Sequence, residues 1–395
     1  MTLTRRSADT TPVVVACCRT AIGRAHAERG LFRHVRGDEL AAAVIRAAVE
    51  RSGVDPATID DVILGVTQQR GELGGNAART AALLAGLPFT AAGTTVNRLC
   101  GSGLEAIARA AQAIAAGAEN VHVVGGAEHM HHLPMDAALD IHPQIFSRSS
   151  KGMLSMGLTA EHLAAAHGIS RRAQEAYALD SHRKAAAAAD AGLFDDELVT
   201  VLGHDEAGGL VAATRDQAIR GDTSLEAMAA LEPAFLPKLG TVTAATSAPL
   251  SDGAAALVMM QEAEASRQGL VPLARIVATA VAGVAPAAMG TGPIAATRKL
   301  LSRTGIDLAE IDLVELNEAF AAQALHCIEA LGLDRARVNV RGGSLAIGHP
   351  LGASGARIAT TLVHSLATDG KRLGLATMCI GLGQGIAVLF ERVEA

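Results

Sequence analysis

A chain of 395 residues is too long for one ordinary core, so two or three domains or subdomains are expected. Hydrophobic residues at 50% and charged residues at 19% exclude a disordered chain, and aromatics at only 2% require a core of Ala, Val, Leu and Ile. A net charge of −6 with scattered Lys and Arg leaves no nucleic-acid footprint, although it permits a local basic pocket for a phosphorylated ligand.

The opening segment carries Arg5 and Arg6 but no apolar run of the secretory kind. Strand-like and helical patterns then alternate: strand 13–18, helix 37–52, strand 61–66, helix 76–85, strand 94–99, helix 102–116 and strand 120–124. Apolar strands separated by helices predict a parallel or mixed sheet covered on both faces. From about 126 to 240 the texture changes to short helices without clear strands, with many histidines (His129, His131, His132 and His142 among them), which reads as an inserted lobe. Alternation returns with strands at 255–260 and 274–284, helix 293–304, strand 311–317, helix 319–331, strand 338–340, helix 354–368, and strands 372–379 and 386–391. The two alternating regions echo each other. Cys100-Gly101-Ser102-Gly103 leads through a helix to Val123-Val124-Gly125-Gly126, and His349 with Gly352-Ala353-Ser354-Gly355 leads through a helix to Met378-Cys379-Ile380-Gly381.

Five cysteines (Cys17, Cys18, Cys100, Cys327 and Cys379) lack paired spacing, which argues against a disulfide framework or a zinc site and for a reducing compartment. No stretch supplies the ~20 apolar residues of a membrane span, so a cytoplasmic protein is expected.

Chemistry concentrates at four places. Cys100 stands just before a predicted helix N-terminus, where free N–H groups and the helix dipole lower a thiol's pKa. Gly101 and Gly103 clear space for a carbonyl there, although a buried structural cysteine fits the same motif. Asn317, in Glu315-Leu316-Asn317-Glu318-Ala319-Phe320, stands in the cap position of the next helix, either as a plain N-cap or as an amide that holds a water or polarises an oxyanion. His349 sits in a run of glycines and small residues too free of bulk for a surface histidine, which suits a base toward a thiol or a donor to a carbonyl. Cys379-Ile380-Gly381-Leu382-Gly383-Gln384-Gly385 places a second thiol at a strand end, with the Gly381 N–H beside it. Its GxGxG pattern runs into a strand near the C-terminus, not into a helix after the first strand, so a dinucleotide site is excluded.

With these four segments, the ordered set of Arg19-Thr20-Ala21-Ile22-Gly23-Arg24, Gly125-Gly126-Ala127-Glu128-His129-Met130, Met156-Gly157-Leu158-Thr159-Ala160-Glu161, Gly240-Thr241-Val242-Thr243-Ala244 and Ser251-Asp252-Gly253-Ala254-Ala255 resembles the thiolase family over nearly the whole chain. The lobe segments are most similar to the β-subunits of bacterial fatty-acid β-oxidation complexes. The resemblance implies a duplicated five-layer αβαβα fold: an N-terminal catalytic half at 1–125 completed by 240–270, an inserted loop and CoA-binding lobe at 126–239, and a C-terminal catalytic half at 271–395. It implies a Cys100 acyl-enzyme activated by His349, with Asn317 holding a water at one oxyanion site. Cys100 and Gly381 N–H groups would form a second such site, and Cys379 would be the acid and base. Met156, Arg220, Ser224, Phe235, Ala319 and Phe320 would line the CoA path, with coenzyme A as a substrate and no permanently bound cofactor or metal. A homodimer or tetramer is implied, with a hydratase/dehydrogenase α-subunit as a further partner.

Three positions depart from the family pattern: Ala248 where a serine commonly touches the pantetheine, Thr246 before it, and Arg341 before Gly342-Gly343. Rival readings are a biosynthetic acetoacetyl-CoA thiolase, a decarboxylating ketoacyl synthase, which lacks the second cysteine, and a non-catalytic lipid carrier. The intact Cys100, His349 and Cys379 oppose the last.

Overall fold

In a computed structural model that describes residues 7–135 and 140–394, the chain folds as two topologically equivalent halves. The segment through Arg6, read above as lacking a secretory signal, lies outside the described residues. The first half comprises β1 (Pro12–Thr20), a two-residue β2 (Gly23–Arg24), α1 (Gly37–Ser52), β3 (Asp61–Gly65), α2 (Ala77–Leu84), β4 (Ala92–Val96), α3 (Ser102–Ala116) and β5 (Val121–His129). An intervening segment holds α4 (Met156–Ala166), α5 (Arg171–Asp190), β6 (Leu198–Val199), β7 (Val201–His204), β8 (Leu210–Ala213) and α6 (Leu225–Ala229). The chain returns through β9 (Ser251–Gln261) and α7 (Glu262–Arg267). It ends with β10 (Ala274–Gly283), α8 (Gly292–Thr304), β11 (Leu313–Leu316), α9 (Ala321–Leu331), α10 (Ser344–Ile347), α11 (Leu351–Thr368), β12 (Leu373–Ile380) and β13 (Gln384–Arg392).

The spatial order β1-β9-β5-β3-β4 in the first half is repeated as β10-β13-β12-β11 in the second, where the Val314–Val338 bridge takes the place of β4. In each half a parallel core is closed by two antiparallel strands, and a short β1–β10 pairing joins the halves. The strand side chains divide with period 2. Val121, Val123, Ala254, Ala256 and Val258 face α1 and α2, whereas Val124, Ala255, Leu257 and Met259 face α3 and α11. On the other side Met378, Ile386 and Val388 join that same central cluster, while Leu375, Ala387 and Leu389 face α8 and α9. The result is helix, sheet, helix pair, sheet and helix, with α3 and α11 as the central layer.

That central layer is exceptionally tight, and small residues make it so. A Cβ on Gly355 would lie 2.3 Å from the Leu104 nitrogen, and one on Gly103 would lie 2.5 Å from the Ala356 nitrogen. Every residue from Leu351 to Val363 is buried. Cys100 and His349 precede these two helices, so the crossing fixes their relative position.

Four details differ from the sequence expectation. The intervening segment contains a 20-residue helix, α5, capped by Ser170 and sustained by its alanine run, together with a β7–β8 hairpin. The hairpin turns at Gly208, with φ +93°, and the Asp205 carboxylate accepts from the Ala207 and Gly209 amides there. β5 runs on to His129 because it pairs with β9 along its whole length, so residue 126 falls inside a strand. The strand expected at 338–340 is reduced to the single Val338 bridge, and α11 begins at Leu351, not at 354.

Candidate active site

Cys100 lies between β4 and α3, two residues ahead of the helix. The turn that presents it holds Leu99 at φ +47°, a left-handed conformation that costs a non-glycine residue about 1–2 kcal/mol. Four hydrogen bonds stabilise it. The Leu99 amide donates to Asn97 Oδ1 (2.8 Å), and its carbonyl accepts from Ser102 Oγ (2.6 Å), the Ser102 amide (3.0 Å) and Thr67 Oγ1 (3.0 Å).

The backbone N–H groups of Gly381 and of Cys100 itself reach the Cys100 thiol and favour its ionised form. Burial is the larger effect and pushes the thiol up to about 11, so the lowered pKa expected from the helix terminus is not found. The same two amides aim at where negative charge would develop on an oxygen bonded near the sulfur. Gly381 follows β12 directly, and a Cβ there would lie 3.2 Å from Leu99 Cδ1 and 3.6 Å from Met156 Sδ, so it stands between the nucleophile turn and α4.

Cys379 is buried at the end of β12, and burial, together with Cys100 and Cys327 nearby, pushes its thiol well up. It is therefore a protonated thiol beside Cys100. Cys379 shares one apolar cluster with Met156, Phe235, Ala319 and Phe320, in which Phe235 meets Phe320 edge to face at 5.9 Å. Four of the six expected CoA-path residues are thus brought to the second thiol. Arg220 and Ser224 lie outside this cluster: the Arg220 side chain is exposed, and Ser224 caps α6 by accepting from the Ala227 amide.

His349 precedes α11 and follows Gly348, whose φ of +119° and close approach to Ser251 and Ile22 require glycine. Ser354 donates its proton to the Pro350 carbonyl (2.8 Å), so its oxygen accepts from His349 Nδ1–H (2.6 Å). The Nε2 lone pair is left toward the site, 3.5 Å from Asn317 Nδ2. Burial, with the Arg357 charge adding to it, pushes the imidazole down to about 3 and keeps it neutral.

Asn317 does not cap a helix: α9 begins at Ala321 with Phe320 in the cap position, because Phe320 is extended (φ −145°, ψ 145°) and bridges Ser247. The Asn317 side chain instead turns toward His349.

Several residues that support this site were not singled out in the sequence. Glu128, fully buried near the end of β5, accepts from the amides of Thr67, Gln68 and Gly352, tying the Cys100 half to the turn after His349. Glu318 accepts from Tyr177 Oη, Ser181 Oγ, Asn339 Nδ2 and the Leu345 amide, anchoring the loop that leads to His349. Glu128 lies in β5 and Glu318 just past β11, both buried carboxylates, and a carboxylate next to a strand core was the available signal. Two histidine–carboxylate groups occur elsewhere among the described residues. Around Glu72, the His129 and His132 ring nitrogens are already engaged by Phe32 and Arg33 carbonyls, Glu72 and the His132 amide, and His122 beside Asp61 is 3.3 Å from Glu119.

A duplicated α/β fold that brings Cys100 of one half near Cys379 of the other, with the amides of Cys100 and Gly381 reaching the first thiol, has the parts of an acyl-transfer site. The thiolase N-terminal domain matches residues 12–263 and the thiolase C-terminal domain residues 270–392, and the chain belongs to the thiolase family of acyltransferases. It is 50% identical over 385 residues to the 3-ketoacyl-CoA thiolases of Shewanella frigidimarina and Aliivibrio fischeri, covering 96% of this chain and 99% of each relative. Among solved structures, the Bacillus anthracis acetyl-CoA acetyltransferase superposes with a TM-score of 0.88 at 40% identity, covering 98% of this chain and all of that one.

Proposed function

We propose that this chain is a 3-ketoacyl-CoA thiolase of fatty-acid β-oxidation, and that Cys100, His349, Cys379, Asn317 and Gly381 carry the reaction. The observation that carries the reading is that Cys100, whose thiol the Gly381 N–H reaches, lies near a second buried thiol, Cys379. Cys100 Sγ attacks the 3-keto carbon and passes its proton to His349 Nε2. The C2–C3 bond then breaks, its electron pair stays on C2, and the Cys379 thiol protonates the resulting acetyl-CoA enolate. After acetyl-CoA leaves, an incoming CoA thiol gives its proton to the Cys379 thiolate and attacks the acyl-Cys100 carbonyl. Cys100 departs and recovers its proton from His349.

Charge develops on two different oxygens along this path. The amides of Cys100 and Gly381 serve the oxygen on the carbon bonded to Cys100, and protonated His349 with an Asn317-held water serves the thioester oxygen of the enolate. Burial, which pushes the thiol up to about 11 and the imidazole down to about 3, keeps the proton on Cys100 until negative charge on the substrate oxygen draws it to His349.

In this reading the segment that follows β5, as far as residue 239, forms the CoA-binding lobe. Met156, Phe235, Ala319 and Phe320 line the pantetheine, while exposed Arg220, whose charge acts on Arg24 nearby, offers a basic pair for the nucleotide phosphates. β4 is a half-exposed edge strand next to the nucleophile turn, which supports a dimer formed through that edge. An α-subunit partner remains part of the proposal, tested by co-purification from the native host. All five cysteines are free and no helix among the described residues is long and apolar enough to cross a membrane, which suits a reducing cytoplasm.

Activity against a ladder of 3-ketoacyl-CoA chain lengths tests the assignment. Turnover that extends to medium and long chains is expected; activity confined to acetoacetyl-CoA would favour the biosynthetic enzyme instead.

A further inference from the structure

α11 grips the site at two points. Ser354 fixes the His349 tautomer, and three residues on, along the same helix face, Arg357 is fully buried. Among the described residues the Arg357 guanidinium makes one hydrogen bond, from Nη2 to Ser344 Oγ at 2.7 Å, while its Nε and Nη1 have no hydrogen-bond partner. Its nearest carboxylate, Glu315, stands 3.7 Å from Nη1. Ser344 Oγ lies 2.6 Å from Asn317 Oδ1.

Proton accounting gives this chain of contacts a direction. A guanidinium can only donate, so Ser344 Oγ accepts from Arg357. The single hydroxyl proton of Ser344 is then free to be donated to Asn317, where it requires the amide oxygen. With Oδ1 so engaged, Nδ2 faces His349 Nε2 at 3.5 Å. The flipped amide would strand the Ser344 proton without an acceptor and set a carbonyl oxygen against the Nε2 lone pair. Asn317 has no other side-chain bond among the described residues to choose between these orientations.

We propose that Arg357 and Ser344 are positioning residues that lock the Asn317 amide with its NH2 group toward His349. The relay explains why a buried cation is kept with so little satisfaction of its own: its one hydrogen bond is spent on orienting the amide. It rests on the assignment of Asn317 to the oxyanion site and names what holds that residue in place.

The test is a double-mutant cycle of Ser344→Ala and Asn317→Ala in steady-state thiolysis, with melting temperature recorded for each protein. Removing an oxyanion donor costs about 100-fold in kcat or more, and loosening one costs less, so Asn317→Ala should lose about 100-fold and Ser344→Ala about tenfold, with KM for CoA unchanged. The double variant should be no slower than Asn317→Ala alone, because Ser344 acts only through that amide. If Ser344→Ala orphans Arg357 and fails to fold, the cycle is run with Ser344→Ala/Arg357→Met, which removes the hydroxyl and the charge together. A wild-type kcat for the Ser344 variant, or effects that multiply in the combined variant, overturns the relay. Acyl transfer through Cys100 with multiplying effects overturns the relay alone; a Cys100→Ala enzyme that still turns over overturns the catalytic assignment beneath it.

Discussion

Gly355→Ala tests whether the α3–α11 crossing sets catalytic geometry. The added Cβ would lie 2.3 Å from the Leu104 backbone nitrogen, against 3.4–4 Å for an ordinary contact, so the helices must part by about 1 Å. The two nearest atoms, Leu104 N at 2.3 Å and Gly103 C at 3.0 Å, are backbone of α3, which cannot step aside alone. Cys100 precedes α3 and His349 precedes α11, so that separation moves nucleophile and base relative to each other. A misplacement of about 1 Å costs on the order of 100-fold in rate, and overpacking costs about 1–3 kcal/mol of stability. Thiolysis of a 3-ketoacyl-CoA gives kcat, and urea unfolding gives stability. Gly370→Ala is the control: its φ of +62° strains the added side chain, but a Cβ there meets nothing within 4 Å, so it should lose about 1 kcal/mol and keep its kcat. A Gly355→Ala enzyme with wild-type kcat and stability would refute the idea that this crossing positions the site.

Three further outcomes are expected. In the substrate-free enzyme, alkylation of Cys100 by iodoacetamide, followed by peptide mass spectrometry, should rise about tenfold per pH unit from pH 7 toward pH 10. The thiol is pushed up to about 11 and its thiolate fraction grows over that range; a plateau by pH 7 would mean a preformed thiolate–imidazolium pair. Arg19→Met should lower unfolding free energy by about 3–5 kcal/mol, since the buried Arg19 guanidinium bonds Glu197 (2.6 Å) and Asp216 (2.7 and 3.0 Å) and its loss strands both carboxylates; a change under about 1 kcal/mol in urea unfolding would contradict this. Glu318→Gln should cost about 1–3 kcal/mol, because four donors converge on that carboxylate and an amide can satisfy only part of them; an unchanged melting curve would count against its anchoring role.

Much of the fold was legible because both halves write the same alternation twice. Helix 102–116 was read to the residue, since Gly101 and Gly117 bracket a continuous amphipathic run. The β7–β8 hairpin was not legible, because Val201–His204 and Leu210–Ala213 are short, half-exposed and lie in a segment dominated by helix. Cys100, His349 and Cys379 drew notice through the glycines and small residues around them, and Asn317 through its place between strand and helix. What the residues could not convey was the direction of the thiol's pKa: local helix-terminus chemistry predicts a lowered value, whereas burial under elements far away in sequence raises it. Asn317 failed as a cap for a similar reason, the Ser247–Phe320 bridge having delayed the helix to Ala321. Of the supporting residues, Glu128 reaches the Gly352 amide across the halves, and Ser344 meets Asn317 and Arg357 only once the second half has folded, so no local pattern encodes these contacts; Ser354, five residues from His349, is the local one.

The central claim is that Cys100 carries the acyl group. Mixing the enzyme with a 3-ketoacyl-CoA in the absence of free CoA, quenching in acid and digesting for mass spectrometry should yield acetyl-CoA and a shortened acyl chain on the Cys100 peptide. An acyl adduct on Cys379 or elsewhere with Cys100 unmodified, or release of acetyl-CoA by the Cys100→Ala enzyme, would contradict it.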